Sequence, residues 1–125
     1  MERDEIFKIS PDERRSDALK RLAENRKIHL KDLKEPYRII EEYYEIIKEL
    51  ITAFMYKKGF KTLSHKALVE FAKYNMKELT TREISLVDEL RIKRNNIVYY
   101  GETVTDNFLK TRRQAIDVII NKLSK

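Results

Sequence analysis

Pro11, Pro36, Gly59 and Gly101 are the only prolines and glycines in this chain, and each stands where an apolar helical pattern starts or stops. Proline suits the first turn of a helix, because its fixed φ is already helical and its missing N–H would have had no partner there. Glycine reaches the left-handed conformation that closes a helix. With so few breakers in 125 residues, the backbone is left with long helices and short links.

Five helical segments and no strands are predicted. The first begins at Ser10-Pro11-Asp12-Glu13, read as a serine N-cap, a proline at the first helical position and a glutamate completing a capping box. It runs to about Leu33, with Leu19, Leu22, Leu30 and Leu33 inward. The second starts at Pro36 and ends before Gly59. Its apolar arc (Ile39, Ile40, Tyr43, Tyr44, Ile46, Ile47, Leu50, Ile51, Phe54) is broad enough to pack against more than one neighbour. The third, from about Thr62 to Tyr74, turns Leu68, Phe71 and Ala72 inward. The fourth opens on a second capping box, Thr80-Thr81-Arg82-Glu83, and closes at Gly101. The fifth, from about Thr105 to Leu123, carries Phe108, Leu109, Ala115, Ile116, Ile119, Ile120 and Leu123. Short links imply antiparallel neighbours. The expected fold is therefore all-α, an up-and-down bundle of four to five antiparallel helices forming one domain over residues 1–125.

Composition narrows function mainly by subtraction. No apolar run approaches membrane-spanning length, and the start from Met1 to Lys8 is too charged for a secretory signal, so a cytoplasmic protein with no membrane contact is expected. The absence of cysteine removes disulfides and thiolate metal sites. The two histidines, His29 and His65, lack the one-turn spacing of a metal pair, so no metal and no cofactor is expected. His65 reads as a surface or capping residue and His29 as a partly buried one. There is no glycine-rich phosphate loop and no nucleophile elbow. Lys and Arg number 27 against 21 acidic residues, a net charge of +6 with an isoelectric point near 9.4. Such a surface attracts RNA, DNA or an acidic protein. Abundant charges of both signs are also the habit of heat-stable proteins.

The chemistry concentrates at Arg94-Asn95-Asn96-Ile97-Val98-Tyr99-Tyr100-Gly101. The fourth helix places Leu86, Val87, Leu90, Ile97 and Val98 on one face, and at about 100° per residue Arg94 falls inside that face. A guanidinium keeps its charge, so it should meet a carboxylate, an anionic ligand or a second subunit. The plain alternative is a salt bridge at a helix–helix contact. Arg26, beside His29 on the first helix, and Arg112 on the fifth also point towards apolar faces. Candidate partners are Glu41, Glu42 and Glu45 on the second helix and Asp88 and Glu89 on the fourth.

The order of elements resembles the HEPN superfamily, small helical-bundle proteins often encoded beside a minimal nucleotidyltransferase. The similarity spans roughly Asp12 to Leu123. It is carried by Tyr43-Tyr44-Glu45-Ile46-Ile47, Lys57-Lys58-Gly59-Phe60, Ser64-His65-Lys66-Ala67-Leu68, and Glu89-Leu90-Arg91-Ile92-Lys93-Arg94-Asn95 followed by Gly101. The resemblance implies a homodimer, formed through the fourth helix with the first or second, that shares one cleft. It also implies RNA or nucleotide as ligand and a minimal nucleotidyltransferase as partner, in a toxin–antitoxin or substrate-binding role. Arg91, Arg94, Asn95, Tyr99 and Tyr100 would be the RNA- or nucleotide-binding residues.

Many HEPN proteins are ribonucleases that carry arginine, a polar residue, a spacer and histidine at this helix end. Arg94 and Asn95 match, but Tyr99 stands five residues after the arginine where the histidine belongs. Histidine can take or give a proton near neutrality, whereas tyrosine, with an ordinary pKa of about 10, is a poor base at pH 7. The expectation is little or no catalysis unless His29 or His65 reaches the cleft. The alternative is a metal-independent ribonuclease toxin with an altered motif, in which Arg94, Asn95 and Tyr99 are catalytic. A tyrosine at this helix end could also accept a nucleotidyl group, although the family's acceptor position is occupied here by Gly101.

Overall fold

The computed structural model describes residues 5–125, so part of the charged Met1 to Lys8 start lies outside the described residues. The chain folds as an all-α bundle with a small ribbon at one end: β1 (Ile6–Lys8), α1 (Glu13–Leu30), α2 (Pro36–Lys58), β2 (Phe60–Thr62), α3 (His65–Asn75), α4 (Thr81–Tyr100) and α5 (Asp106–Leu123). No helix among the described residues is long and apolar enough to cross a membrane.

Helix α2 is the axis of the molecule. It packs against α1, α3, α4, α5 and β2, and Ile40, Tyr43, Tyr44, Ile46, Ile47, Ile51 and Met55 on it are almost completely enclosed. The broad apolar arc predicted for this helix is thus used on nearly every side. Around it, α1 runs antiparallel: Arg15 reaches Tyr56, Ser16 reaches Ala53 and Arg26 reaches Glu42, partners that descend as α1 ascends. Helix α5 is antiparallel to α4 in the same way, with Arg112 on Glu89 and Lys122 on Glu83.

The helix ends follow their capping residues. Thr80 and Glu83 form the reciprocal capping box at the start of α4. Gly59 and Gly101 close α2 and α4 at φ of 88° and 67°. Ser64 caps α3 by accepting from the N–H of Ala67, which starts that helix at His65 rather than near Thr62.

Three expectations are corrected. The ribbon exists: Ile6 pairs with Thr62, Phe7 with Lys61 and Lys8 with Phe60, antiparallel. Three-residue strands are too short to show an alternating pattern, and it is the turn at Gly59 that brings them together. The N–H of Ile9 donates to the Gly59 carbonyl at 2.9 Å, and a Cβ on Gly59 would stand only 2.8 Å from the Ile9 carbonyl oxygen. The N-cap of α1 is Asp12, not Ser10, because the N–H of Asp12 is already bonded to the Tyr56 carbonyl and its carboxylate takes the N–H of Arg15 at 2.9 Å. Finally, α1 ends at Leu30, and its buried residues are Ser16 and Ala23, while Leu22 is 42% exposed. Small side chains let α1 lie close against α2, and packing on one main neighbour needs only a narrow strip.

Candidate functional site

Three inward arginines meet three different surroundings. Arg26 is clamped by two carboxylates of α2: its Nε donates to Glu49 at 2.8 Å and its Nη1 to Glu42 at 3.1 Å. Glu49 is only 4% exposed, and burial pushes its carboxyl above the usual range against the pull of Arg26. Arg112 grips Glu89 with two parallel bonds of 3.0 and 2.7 Å and lies 4.2 Å over the Phe108 ring. Both are closed pairs of the kind that holds helices together. The three arginines do not share a carboxylate.

Arg94 is different. It lies on the inward face of α4 in line with Val87 and Leu90, and its side chain keeps 16% of its surface exposed. Among the described residues its ion pair, to Glu45 Oε2, is 3.5 Å long, and it also donates to its neighbour Asn95 at 3.2 Å. Glu45 is divided, since Lys48 holds its other oxygen at 2.7 Å. Beside it Arg91 takes Asp88 at 2.8 Å. Among the described residues, Lys48, Arg91 and Arg94 therefore share two carboxylates, which leaves this corner of α2 and α4 with an excess of positive charge.

Aromatic rings frame the corner. The Arg94 guanidinium lies 5.7 Å from the Tyr44 ring centroid and 5.9 Å from that of Tyr99. Tyr44 is completely buried and its hydroxyl has no hydrogen-bond partner among the described residues. Burial raises that phenol far above its ordinary range, with Arg91 and Arg94 pulling the other way. The His65 ring packs on the same Tyr44 ring, centroids 5.6 Å apart. Burial, reinforced by Lys48 and Arg94, holds His65 below the usual imidazole range. Both effects favour the neutral ring.

Of the residues singled out from the pattern, Arg91, Arg94, Asn95 and Tyr99 are brought to one corner, with Tyr99 66% exposed. Tyr100 is 81% exposed at the end of α4. His29 is exposed on α1, which leaves His65 as the imidazole beside Arg94. Pattern reading missed Tyr44 and Lys48 as neighbours of Arg94 and left open whether His65 would be one. Tyr44 and Lys48 lie one turn apart on α2 and flank Glu45, a partner the sequence did nominate; His65 could be placed only by knowing how α3 docks. Arg91 and Asp88 also border a groove of about 360 Å³ between α3 and α4, which Lys66, Glu70 and Lys73 line from the α3 side. Among the described residues, no group of three or more His, Asp or Glu side chains is placed to hold a metal ion.

No family model matches this chain, and no curated protein or solved structure is significantly similar to it.

Proposed function

We propose that the protein is a HEPN-like subunit that binds the phosphate of an RNA strand or nucleotide at Arg94 with little or no catalysis. The observation that carries this reading is the unbalanced charge around Arg94. An arginine whose ion pair is long, whose carboxylate is shared with Lys48, and whose neighbour Arg91 adds a further cation has donors to give to an anion. Tyr99, exposed and within reach of the same guanidinium, offers a face on which a base can stack. Asn95 steadies Arg94 from the side. Tyr100 is exposed at the end of α4, one residue further on.

The resemblance to HEPN proteins supplies the rest of the reading: a cytoplasmic homodimer, paired with a minimal nucleotidyltransferase in a toxin–antitoxin or substrate-binding role. Tyr99 stands where a catalytic histidine would be, and a phenol cannot take a proton from a ribose hydroxyl at neutral pH. The second reading, a metal-independent ribonuclease, draws support from the placing of His65 and Arg94 on one Tyr44 ring.

Incubation of the protein with mixed cellular RNA in EDTA separates the two. Silence from the wild type and cleavage by Tyr99→His is the result expected of a binding cleft that lacks its proton carrier. Cleavage by the wild type, lost in Arg94→Ala, makes it a ribonuclease. If Tyr99→His is as silent as the wild type and RNA is not retained at low salt, the proposed role for Arg94 is wrong.

A further inference from the structure

His65 is one of two histidines in the chain, and its half-buried setting is unlike that of exposed His29. It stands in the first turn of α3, held there by the Ser64 cap, and is half-buried against Tyr44. The charged groups that act on it come from both neighbouring helices: Lys48 and Glu45 from α2, Arg94 and Arg91 from α4. Three of those four are cations. The positive end of the α3 dipole acts in the same sense. Burial and that field together favour the neutral imidazole, and the same field invites an anion.

We propose that His65 belongs to the anion site at Arg94 and takes up a proton when a phosphate group binds there, so that the site grips phosphate more tightly as pH falls. This rests on the reading of Arg94 as a phosphate-binding residue and adds to it a residue from a third helix. The physical step is simple. A phosphate beside Arg94 offsets the fields of Arg94, Arg91 and Lys48, and removal of that repulsion lets imidazolium form. Imidazolium then attracts the same phosphate. Linkage fixes the sign: where the complex holds one more proton than the free protein, affinity rises by up to about tenfold for each unit fall in pH, and levels off once His65 is protonated in both states. The buried Tyr44 ring links the two residues: its centroid lies 5.6 Å from that of His65 and 5.7 Å from the Arg94 guanidinium.

The test reads the two histidines of the unmodified protein by NMR between about pH 5 and about pH 8. Sulfate serves as the probe because, unlike phosphate, it does not titrate in that range; chloride keeps ionic strength constant. Sulfate is expected to move the His65 titration to higher pH and to leave exposed His29 where it was. Arg94→Ala should abolish the movement. In parallel, a labelled oligouridylate and uridine monophosphate are titrated over the same pH range, which tells a strand from a free nucleotide as the source of the phosphate. Binding should tighten as pH falls for the wild type and be flat for His65→Gln.

If the oligouridylate binds through Arg94 but sulfate leaves His65 unmoved, and His65→Gln keeps the wild-type pH profile, the inference about His65 is overturned and the Arg94 site stands. If Arg94→Ala binds both probes as the wild type does, the Arg94 site itself is wrong and the role of His65 falls with it. Equal movement of His29 and His65 would mark general screening and also overturn the proposal.

Discussion

Arg26 and Arg94 both reach helix α2 from a neighbouring helix, yet their local charge balance is opposite. Around Arg26 two carboxylates hold one cation, at 2.8 and 3.1 Å, and one of them, Glu49, is buried. Around Arg94 three cations share two carboxylates, and the ion pair is stretched to 3.5 Å. In the first arrangement carboxylates outnumber the cation, and the second Glu49 oxygen is left without a partner among the described residues, so the surplus there is negative and does not attract an anion. The second is held in place but not neutralised. An inward arginine is therefore not by itself a sign of a site; the number of carboxylates it meets decides.

The largest effects should come from breaking the closed pair. Arg26→Ala leaves the buried Glu49 carboxylate without its counter-charge, and such a loss costs about 3 kcal/mol. Urea unfolding should show it, with most of the loss recovered when Glu49 is replaced by leucine in the same chain. Arg94→Ala should cost no more than about 1 kcal/mol, because a long, shared ion pair contributes little and Lys48 remains on Glu45. Comparable losses at the two positions would erase the distinction drawn between them.

The two glycines allow a second comparison, smaller in scale. Gly59→Ala combines a left-handed φ of 88° with a Cβ driven to 2.8 Å from the Ile9 carbonyl oxygen, so about 2 kcal/mol or more should be lost and the ribbon disturbed. Gly101→Ala has the left-handed φ of 67° but open space around the new atom, and should lose about 1 kcal/mol. Thermal melts of both variants would rank them. A similar loss of about 1 kcal/mol is expected for Thr80→Ala, which removes the side-chain acceptor of the α4 capping box.

The smallest effect is a pH dependence. His65 is held below its ordinary range, so the unfolded chain takes up the proton first, and stability falls as pH drops below about 6.5. A melting profile from about pH 7 to about pH 5 should be flatter in His65→Gln than in the wild type. An unchanged profile would mean that the field at His65 is weaker than its neighbours imply.

Much of the fold was legible because its punctuation is local. Pro36, Gly59, Thr80, Glu83, Gly101 and Thr105 each act within a turn of their own position, and the helices start and stop on them. Ser10 misled because a tertiary bond, from the N–H of Asp12 to the Tyr56 carbonyl, shifts the cap by two residues. Leu22 misled for a related reason: helical spacing says which residues share a face, but not that the small Ser16 and Ala23 make the contact. At the site, the inward setting of Arg94 and its link to Glu45 could be anticipated from one helix and its neighbour. Glu49 as a partner of Arg26 was not named, although it lies two turns beyond Glu42 on the same face of α2. His65 depends on the docking of α3, which no local pattern records.

The account stands most directly on the binding of a labelled oligouridylate at low salt, measured for the wild type and for Arg94→Ala, Glu45→Gln and Arg112→Ala. Loss of the Arg94 contact should weaken binding about tenfold and reduce the salt dependence by the share of one phosphate contact, a slope of about 0.7 for a single strand. Glu45→Gln, which frees Arg94 and Lys48 from their shared carboxylate, should bind more tightly, and Arg112→Ala should match the wild type. Equal binding by the wild type and Arg94→Ala, or an equal loss in Arg94→Ala and Arg112→Ala, would contradict the claim that the charge imbalance at Arg94 makes a site.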